Sequence, residues 1–288
     1  MVTMLKILVL AVVQGASELL PVSSSAHVIV AEKLMGLDPT LPSMTLLLVM
    51  LHTGTMFAVI VFFWDSWKEN YFKSQQILWA SLKVLIAATL ATAVVGLLLK
   101  VIIEKIILRD TPHAEVELLF GNLLLISASL AVVGALILCT GFKKNHPLKE
   151  KTSVDLMPAC FIGMVQGLCL PFRGFSRSGA TISTGLILGI QKKKIEDFSF
   201  ALAVILTPPV ILKEALRFLH AQHAAVHHGT GMISLFLPSL IGMVLSFISG
   251  WLALKWLSNW LEGGRWYLFG FYCIFASIII FLLHCQGL

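Results

Sequence analysis

Charge is scarce in this chain. Of 288 residues only 12% are charged, 58% are hydrophobic, and the mean hydropathy is +0.91. A soluble domain carries about a quarter of its residues as charges, so the shortage excludes that class and implies a polytopic membrane protein. No cysteine pattern is present either. Cys139, Cys160, Cys169, Cys273 and Cys285 are scattered, odd in number and mostly within apolar segments, which excludes a disulfide framework and zinc spacing and leaves them as packing residues. Basic surface interleaved with aromatics is also missing, so no nucleic acid is expected as a partner; the net charge of +6 sits in loops, where anionic lipid headgroups suit it. His220, His223, His227 and His228 have helix-like spacing but few nearby carboxylates, which argues against a structural metal there.

Long apolar runs are what the chain does have. A helix needs roughly 20 apolar residues to cross about 30 Å of hydrocarbon, and six runs qualify: 44–64, 83–101, 118–140, 198–217, 233–255 and 266–284. Two further apolar regions, 5–35 and 156–190, are broken midway by Pro21 and by Pro171 with Gly174, residues that stop or kink a helix. Each reads as two half-length helices that enter the membrane and return, with the polar break at the tip buried in protein. The start of the first region has the Lys6-then-apolar pattern of a secretory signal, but hydrophobic spans follow at once and Glu18 lies within it, so it reads as a retained helix.

The chain also resembles itself. Val13-Gln-Gly15 recurs as Val165-Gln-Gly167, each followed by proline, a serine-rich break, a glycine (Gly36, Gly189) and an apolar helix containing Thr53 or Thr207. Residues 1–145 and 146–288 therefore form two repeats of one re-entrant pair plus three spans, all within one membrane domain. An odd number of crossings per repeat inverts the second against the first, and the expected fold is an all-α polytopic membrane protein with six transmembrane helices and two re-entrant helix pairs in an inverted-topology repeat. Lys68, Lys73, Lys83, Lys143, Lys144, Lys149, Lys151, Lys192, Lys193, Lys194, Lys255 and Arg265 gather on one side, which should be cytoplasmic. Both termini and the opening of the first broken region then face outward.

Two polar stretches interrupt the apolar body: Pro21-Val-Ser-Ser-Ser-Ala-His27, preceded by Gln14-Gly-Ala-Ser-Glu18, and Arg173-Gly-Phe-Ser-Arg-Ser-Gly-Ala-Thr181. An ionised residue at bilayer depth costs roughly 2.5–3.5 kcal/mol on insertion scales, so its presence implies a task. Arg177 can fork two phosphate oxygens, and Ser176, Ser178 and Thr181 surround it at a helix start that favours anions, although capping alone explains such residues equally well. Its alternative role is an ion pair with Glu18 that ties the repeats together. Glu18 suits a divalent cation or a base, and His27 suits proton transfer, phosphoryl acceptance or plain packing. Nucleophilic attack by Ser24, by His27 or by water stays open. His52 is a histidine within a span, where bonding to a neighbouring helix is the usual role and lining this site is the alternative.

Gln14-x-x-x-Glu18, the Pro-Val-Ser-Ser run ending at His27, and residues 174–181 together resemble the undecaprenyl-diphosphatase, or bacitracin-resistance, family over nearly the whole chain. The resemblance implies removal of the terminal phosphate of undecaprenyl diphosphate to recycle a carrier lipid for the bacterial cell wall. Also implied are the inverted repeat, a site in the plasma membrane open to the outer side, and a divalent cation, Mg²⁺ or Ca²⁺. Glu18, Ser24, His27 and Arg177 would then carry the chemistry, Glu18 would hold the metal, and Gln14, Ser23, Ser25, Gly174, Ser176, Ser178, Gly179 and Thr181 would bind substrate. Four positions depart from the family's usual pattern: Gln14 for glutamate, Ala26 for glycine, Arg173 for proline and His52 for glutamine. The partners expected are the lipid substrate and the bilayer, with a homodimer as a further expectation. A transporter or flippase of polyprenyl phosphate is the competing class, because inverted repeats with broken helices also build carriers.

Overall fold

Pro21 and Pro171 fall two residues beyond helix ends, as expected of a residue that cannot continue a helix. In the computed structural model, which describes residues 3–37, 42–109, 116–142, 151–224 and 232–287, the helix before Pro21 is α1 (Met4–Leu19) and the one after it α2 (Ser24–Leu34). The second break separates α6 (Leu156–Cys169) from α7 (Arg177–Ile187). Between and after them run α3 (Pro42–Tyr71), α4 (Gln75–Ile102), α5 (Leu123–Gly141), α8 (Lys192–Ala224), α9 (Met232–Glu262) and α10 (Tyr267–Cys285). No strand occurs among the described residues. Among the described residues, five helices are long and apolar enough to cross a membrane: Met44–Tyr71, Gln75–Ile107, Leu123–Gly141, Phe236–Glu262 and Tyr267–Cys285. The expected run 198–217 lies within α8. Its Pro208 and Pro209 remove two backbone donors, and Thr207 Oγ1 donates to the Ala203 carbonyl one turn back.

Of the boundaries that differ from the hydropathy reading, three have a local reason in the side chains. The run expected from 118 becomes helical only at Leu123, because Val116–Leu119 forms a 3₁₀ turn and Asn122 caps α5 by accepting from the Leu125 N–H. Helix α3 continues past 64 to Tyr71 because its polar end is paired: Ser66 and Asn70 donate to the Asp197 carboxylate of α8 at 2.6 and 2.8 Å, and Trp67 is buried. Past 255, α9 runs on to Glu262, with Ser258 donating to Glu196 at 3.0 Å.

Small residues set the packing. At Gly15 a Cβ would lie 2.6 Å from the Ser246 carbonyl, while Gly242 faces Ile7 and Gly250 faces Leu19, so α1 and α9 run parallel in close contact. Likewise Gly163 sits against the Ala88 carbonyl and Gly167 against Thr92 and Val95, so α6 runs parallel to α4. Thus the glycines of both Val-Gln-Gly motifs are where a broken helix meets a long one, as small residues are in lipid. Helices α5 and α10 pack antiparallel: Ser127 donates to the Ser277 carbonyl at 3.1 Å and Ser277 to the Ser127 carbonyl at 2.8 Å, while Gly141 meets Tyr267 at the other end. Helices α3 and α8 are also antiparallel where Phe63 stacks on Phe200 and Ser66 meets Asp197. The main core lies where these helices surround the two polar tips.

Candidate active site

Helices α2 and α7 are built alike. Each has eleven residues, each is capped by a serine (Ser23 accepts from Ala26 N–H, Ser176 from Gly179 N–H), and each ends at a left-handed glycine, Gly36 or Gly189. The turns that lead into them differ. In the second loop Gly174, at φ +103°, takes the left-handed position, tight against the Ile126 carbonyl. The first loop has no glycine, and Ser23 itself adopts φ +68°, a conformation that costs a side-chain-bearing residue of order 1–3 kcal/mol and clusters at functional sites.

The two tips touch. Ser178 Oγ donates to the Leu20 carbonyl at 3.3 Å, and Gly179 lies against the Pro21 carbonyl, where a larger residue would crowd. Two helix N-termini are thereby brought together, and free N–H groups and dipoles at such ends favour an anion. Between them lies Glu18 at the end of α1. Ser24 Oγ donates to its Oε2 at 2.5 Å, Gln14 Nε2 donates to the same oxygen at 3.1 Å, and Arg177 Nη2 donates to Oε1 at 3.3 Å. Side chains of Glu18 and Arg177 keep 18% and 22% exposure, so the pair is sheltered yet reachable. His52 of α3 is a further electrostatic neighbour of Glu18, its Nδ1 donating to the Leu48 carbonyl at 2.8 Å.

Of the residues expected at the site, Gln14, Glu18, Ser24 and Arg177 form one connected cluster. Ser23 and Ser25 are 3.3 Å apart at the start of α2, and Ser176 and Ser178 are 3.4 Å apart at the start of α7. Thr181 points away from this cluster: its hydroxyl bonds Ser199 of α8 at 2.6 Å and the Arg177 carbonyl at 2.9 Å, a packing role. His27 is joined by hydrogen bonds to neither Ser24 nor Glu18. Its Nδ1 donates to the Ser23 carbonyl at 2.8 Å, since a carbonyl can only accept, and its Nε2 accepts from the Tyr272 hydroxyl at 2.7 Å with the two rings stacked. Tyr272 carries no sequence signal; it lies 245 residues away on an apolar span.

Arg173 turns aside as well. Its guanidinium lies 4.1 Å from the centre of the Phe120 ring and interacts electrostatically with buried Glu32 of α2. Gln166, the counterpart of Gln14, is fully buried and donates to Thr92 at 3.1 Å. Only the first Val-Gln-Gly motif thus serves the polar site. The four-histidine segment falls where side chains lie outside the described residues.

Fold and site together define the class: a multi-pass, all-α membrane protein with an acid–serine–arginine cluster sheltered among its helices. The family model described as bacitracin resistance protein BacA matches residues 7–279, and the chain belongs to that family. It is 56% identical over 283 residues to undecaprenyl-diphosphatase 2 of Acinetobacter baylyi, covering 97% of this chain and 98% of the relative. It is 30% identical over 282 residues to the undecaprenyl-diphosphatase of Parabacteroides distasonis, covering 94% and 95%. The undecaprenyl-diphosphatase of Methanobrevibacter smithii is 29% identical over 298 residues, covering 96% and 95%.

Proposed function

We propose that this protein is an integral-membrane phosphatase that hydrolyses undecaprenyl diphosphate to undecaprenyl phosphate and inorganic phosphate, recycling the carrier lipid for cell-wall synthesis and conferring bacitracin resistance. The observation that carries the reading is the meeting of Glu18, Ser24 and Arg177 from two separate broken helices at one sheltered polar point, in a chain related along its length to undecaprenyl-diphosphatases.

Arg177 turns its fork from Glu18 to the terminal phosphate, and the N–H groups at the starts of α2 and α7 take the remaining oxygens. Ser24 Oγ, already bonded to Glu18, passes its proton to that carboxylate and attacks in line. The Oγ–P bond forms, the P–O bond to the bridging oxygen breaks, and undecaprenyl phosphate leaves. Water then cleaves the phosphoserine, returning the hydroxyl and releasing phosphate. His27 holds the turn at Ser23 through its carbonyl and is itself held by Tyr272.

A divalent cation, Mg²⁺ or Ca²⁺, fits the donors present: the Glu18 carboxylate, the Gln14 amide oxygen and serine hydroxyls are all hard oxygen ligands. Among the described residues no group of three His, Cys, Asp or Glu side chains competes for it. When bound it would neutralise charge on the diphosphate.

The finer topology is part of this proposal: six spans and two re-entrant pairs, in two inverted halves divided near residue 145. Support comes from the matched α2 and α7, from the parallel α1/α9 and α6/α4 contacts, and from the antiparallel α3/α8 and α5/α10 pairs, as an axis lying in the membrane plane requires. Lysines from separate loops gather at one end. Lys194 donates to Asn70, Lys192 approaches Gly264, and the Lys151 backbone pairs with Gly189 and Gln191, so that end is assigned to the cytoplasm and the termini to the outside of the inner membrane. Homodimerisation remains an expectation. Phosphate release from a polyprenyl diphosphate by the detergent-purified protein tests the function. Release should require a divalent cation and fall at least about 10³-fold in Ser24→Ala; absence of release from folded wild type would overturn it.

A further inference from the structure

Helices α2 and α7 match in length, cap and closing glycine, yet they are not packed alike. In α7, residues 178–183 and Gly185 are buried, and the helix is packed on α5, α6 and α8. In α2 only Ala26, Val28 and Glu32 are buried, and α1 is its one extensive neighbour among the described helices. The element that stands to α2 as α5 stands to α7 is α10, the antiparallel partner of α5.

Helix α10 meets the first tip at two points. Cys273 Sγ donates to the Pro21 carbonyl at 3.3 Å, and Tyr272 donates to His27. Beyond the His27–Tyr272 pair both helices carry apolar side chains that keep some exposure, Val30 and Ala31 of α2 also packing against the core clusters. On α2, His27, Val30, Ala31 and Leu34 share a stripe at i, i+3, i+4 and i+7, with Val30 and Ala31 half-buried and Leu34 exposed. On α10, Tyr272, Phe275 and Ile279 form the matching stripe, and Phe275 is 63% exposed. The seam between them begins one turn from Ser24. A diphosphate held by Ser24 and Arg177 would have its first alkyl carbons near the His27–Tyr272 pair, with the apolar side chains of α2 and α10 continuing from there.

We infer that the isoprenoid tail of the substrate lies in the seam between α2 and α10, along Val30 and Leu34 on one side and Phe275 and Ile279 on the other. This rests on the lipid-diphosphate reading of the site. The seam explains why one of two matched helices is left loosely packed: the tail fills on α2 the place that α5 fills on α7.

Two measurements on the full-length protein test it. Leu34→Trp and Ile279→Trp, both at exposed positions, narrow the seam without touching the polar cluster. Each should raise KM for a long polyprenyl diphosphate about tenfold, equivalent to about 1.4 kcal/mol, and leave kcat/KM for dimethylallyl diphosphate unchanged. Equal losses on both substrates, or no change on either, would overturn the seam. A polyprenyl diphosphate carrying a photoreactive group in its second isoprene unit should label peptides of α2 and α10, and labelling confined to the outer faces of α4 or α9 would overturn it. If wild type releases no phosphate from either substrate, the phosphatase reading fails by itself, and the labelling still decides where the tail sits.

Discussion

At the scale of single residues, Ser23 shows how much the site asks of its backbone. It sits left-handed at φ +68° while its hydroxyl caps α2 and its carbonyl accepts from His27. Glycine would take that backbone freely and gives up only a few tenths of a kcal/mol as a cap. Ser23→Gly should therefore keep wild-type thermal stability in detergent, whereas Ser23→Val, β-branched and forced to the same φ, should lose about 1–3 kcal/mol. The sequence made the serine-rich break visible but not this strain, because a left-handed serine has no signature where a glycine would have announced the turn, as Gly174 does. Tyr272 was hidden for a different reason: its partner His27 is reached only through the tertiary fold. By contrast Glu18, Ser24 and Arg177 were legible, since a charge or a serine cluster in an apolar run is costly enough to stand out.

At the scale of helices, the breaks at Pro21 and Pro171 were legible because proline leaves a fixed mark, and the polar extension of α3 was not, because Ser66 and Asn70 become helical through Asp197, more than a hundred residues away. Close crossings should be intolerant of bulk. A Cβ at Gly163 would fall 2.1 Å from the Ala88 carbonyl, backbone that cannot move aside. Gly163→Val should lower stability by about 1–3 kcal/mol or more, read as earlier thermal unfolding. At the start of α8, ahead of the apolar run, burial pushes the Glu196 carboxyl up from 4.5 to about 8. The folded state therefore holds a proton that the unfolded chain releases. Stability from this group is complete below the unfolded value and is lost as pH rises through about 8. Glu196→Gln can still accept from Ser258 and never ionises. It should melt close to wild type near pH 5 and several degrees higher near pH 8.5, and a gain that does not depend on pH would contradict this.

At the scale of the whole molecule, the topology makes a prediction that native cysteines can read. Cys139 near the end of α5 and Cys285 at the end of α10 are both exposed, and with α5 and α10 antiparallel they lie at opposite ends. A membrane-impermeant thiol reagent applied to intact cells should label Cys285 and spare Cys139; the reverse would invert the proposed orientation. That hydrophobic runs and one weak internal match sufficed to anticipate an all-α membrane fold reflects how few structures satisfy the backbone in lipid. The seam beside α2 was not legible, since it depends on how two similar helices come to be packed differently.

On the proposed mechanism, residues from two separate broken helices act as one catalytic unit. The most direct test compares phosphate release from a polyprenyl diphosphate by wild type, Glu18→Gln, Arg177→Ala and the double variant. Each single change should cost about 10²–10³-fold or more, and the double should be little worse than the poorer single, as for groups that work together. Losses that multiply independently, or a variant that keeps most of its activity, would contradict a shared site.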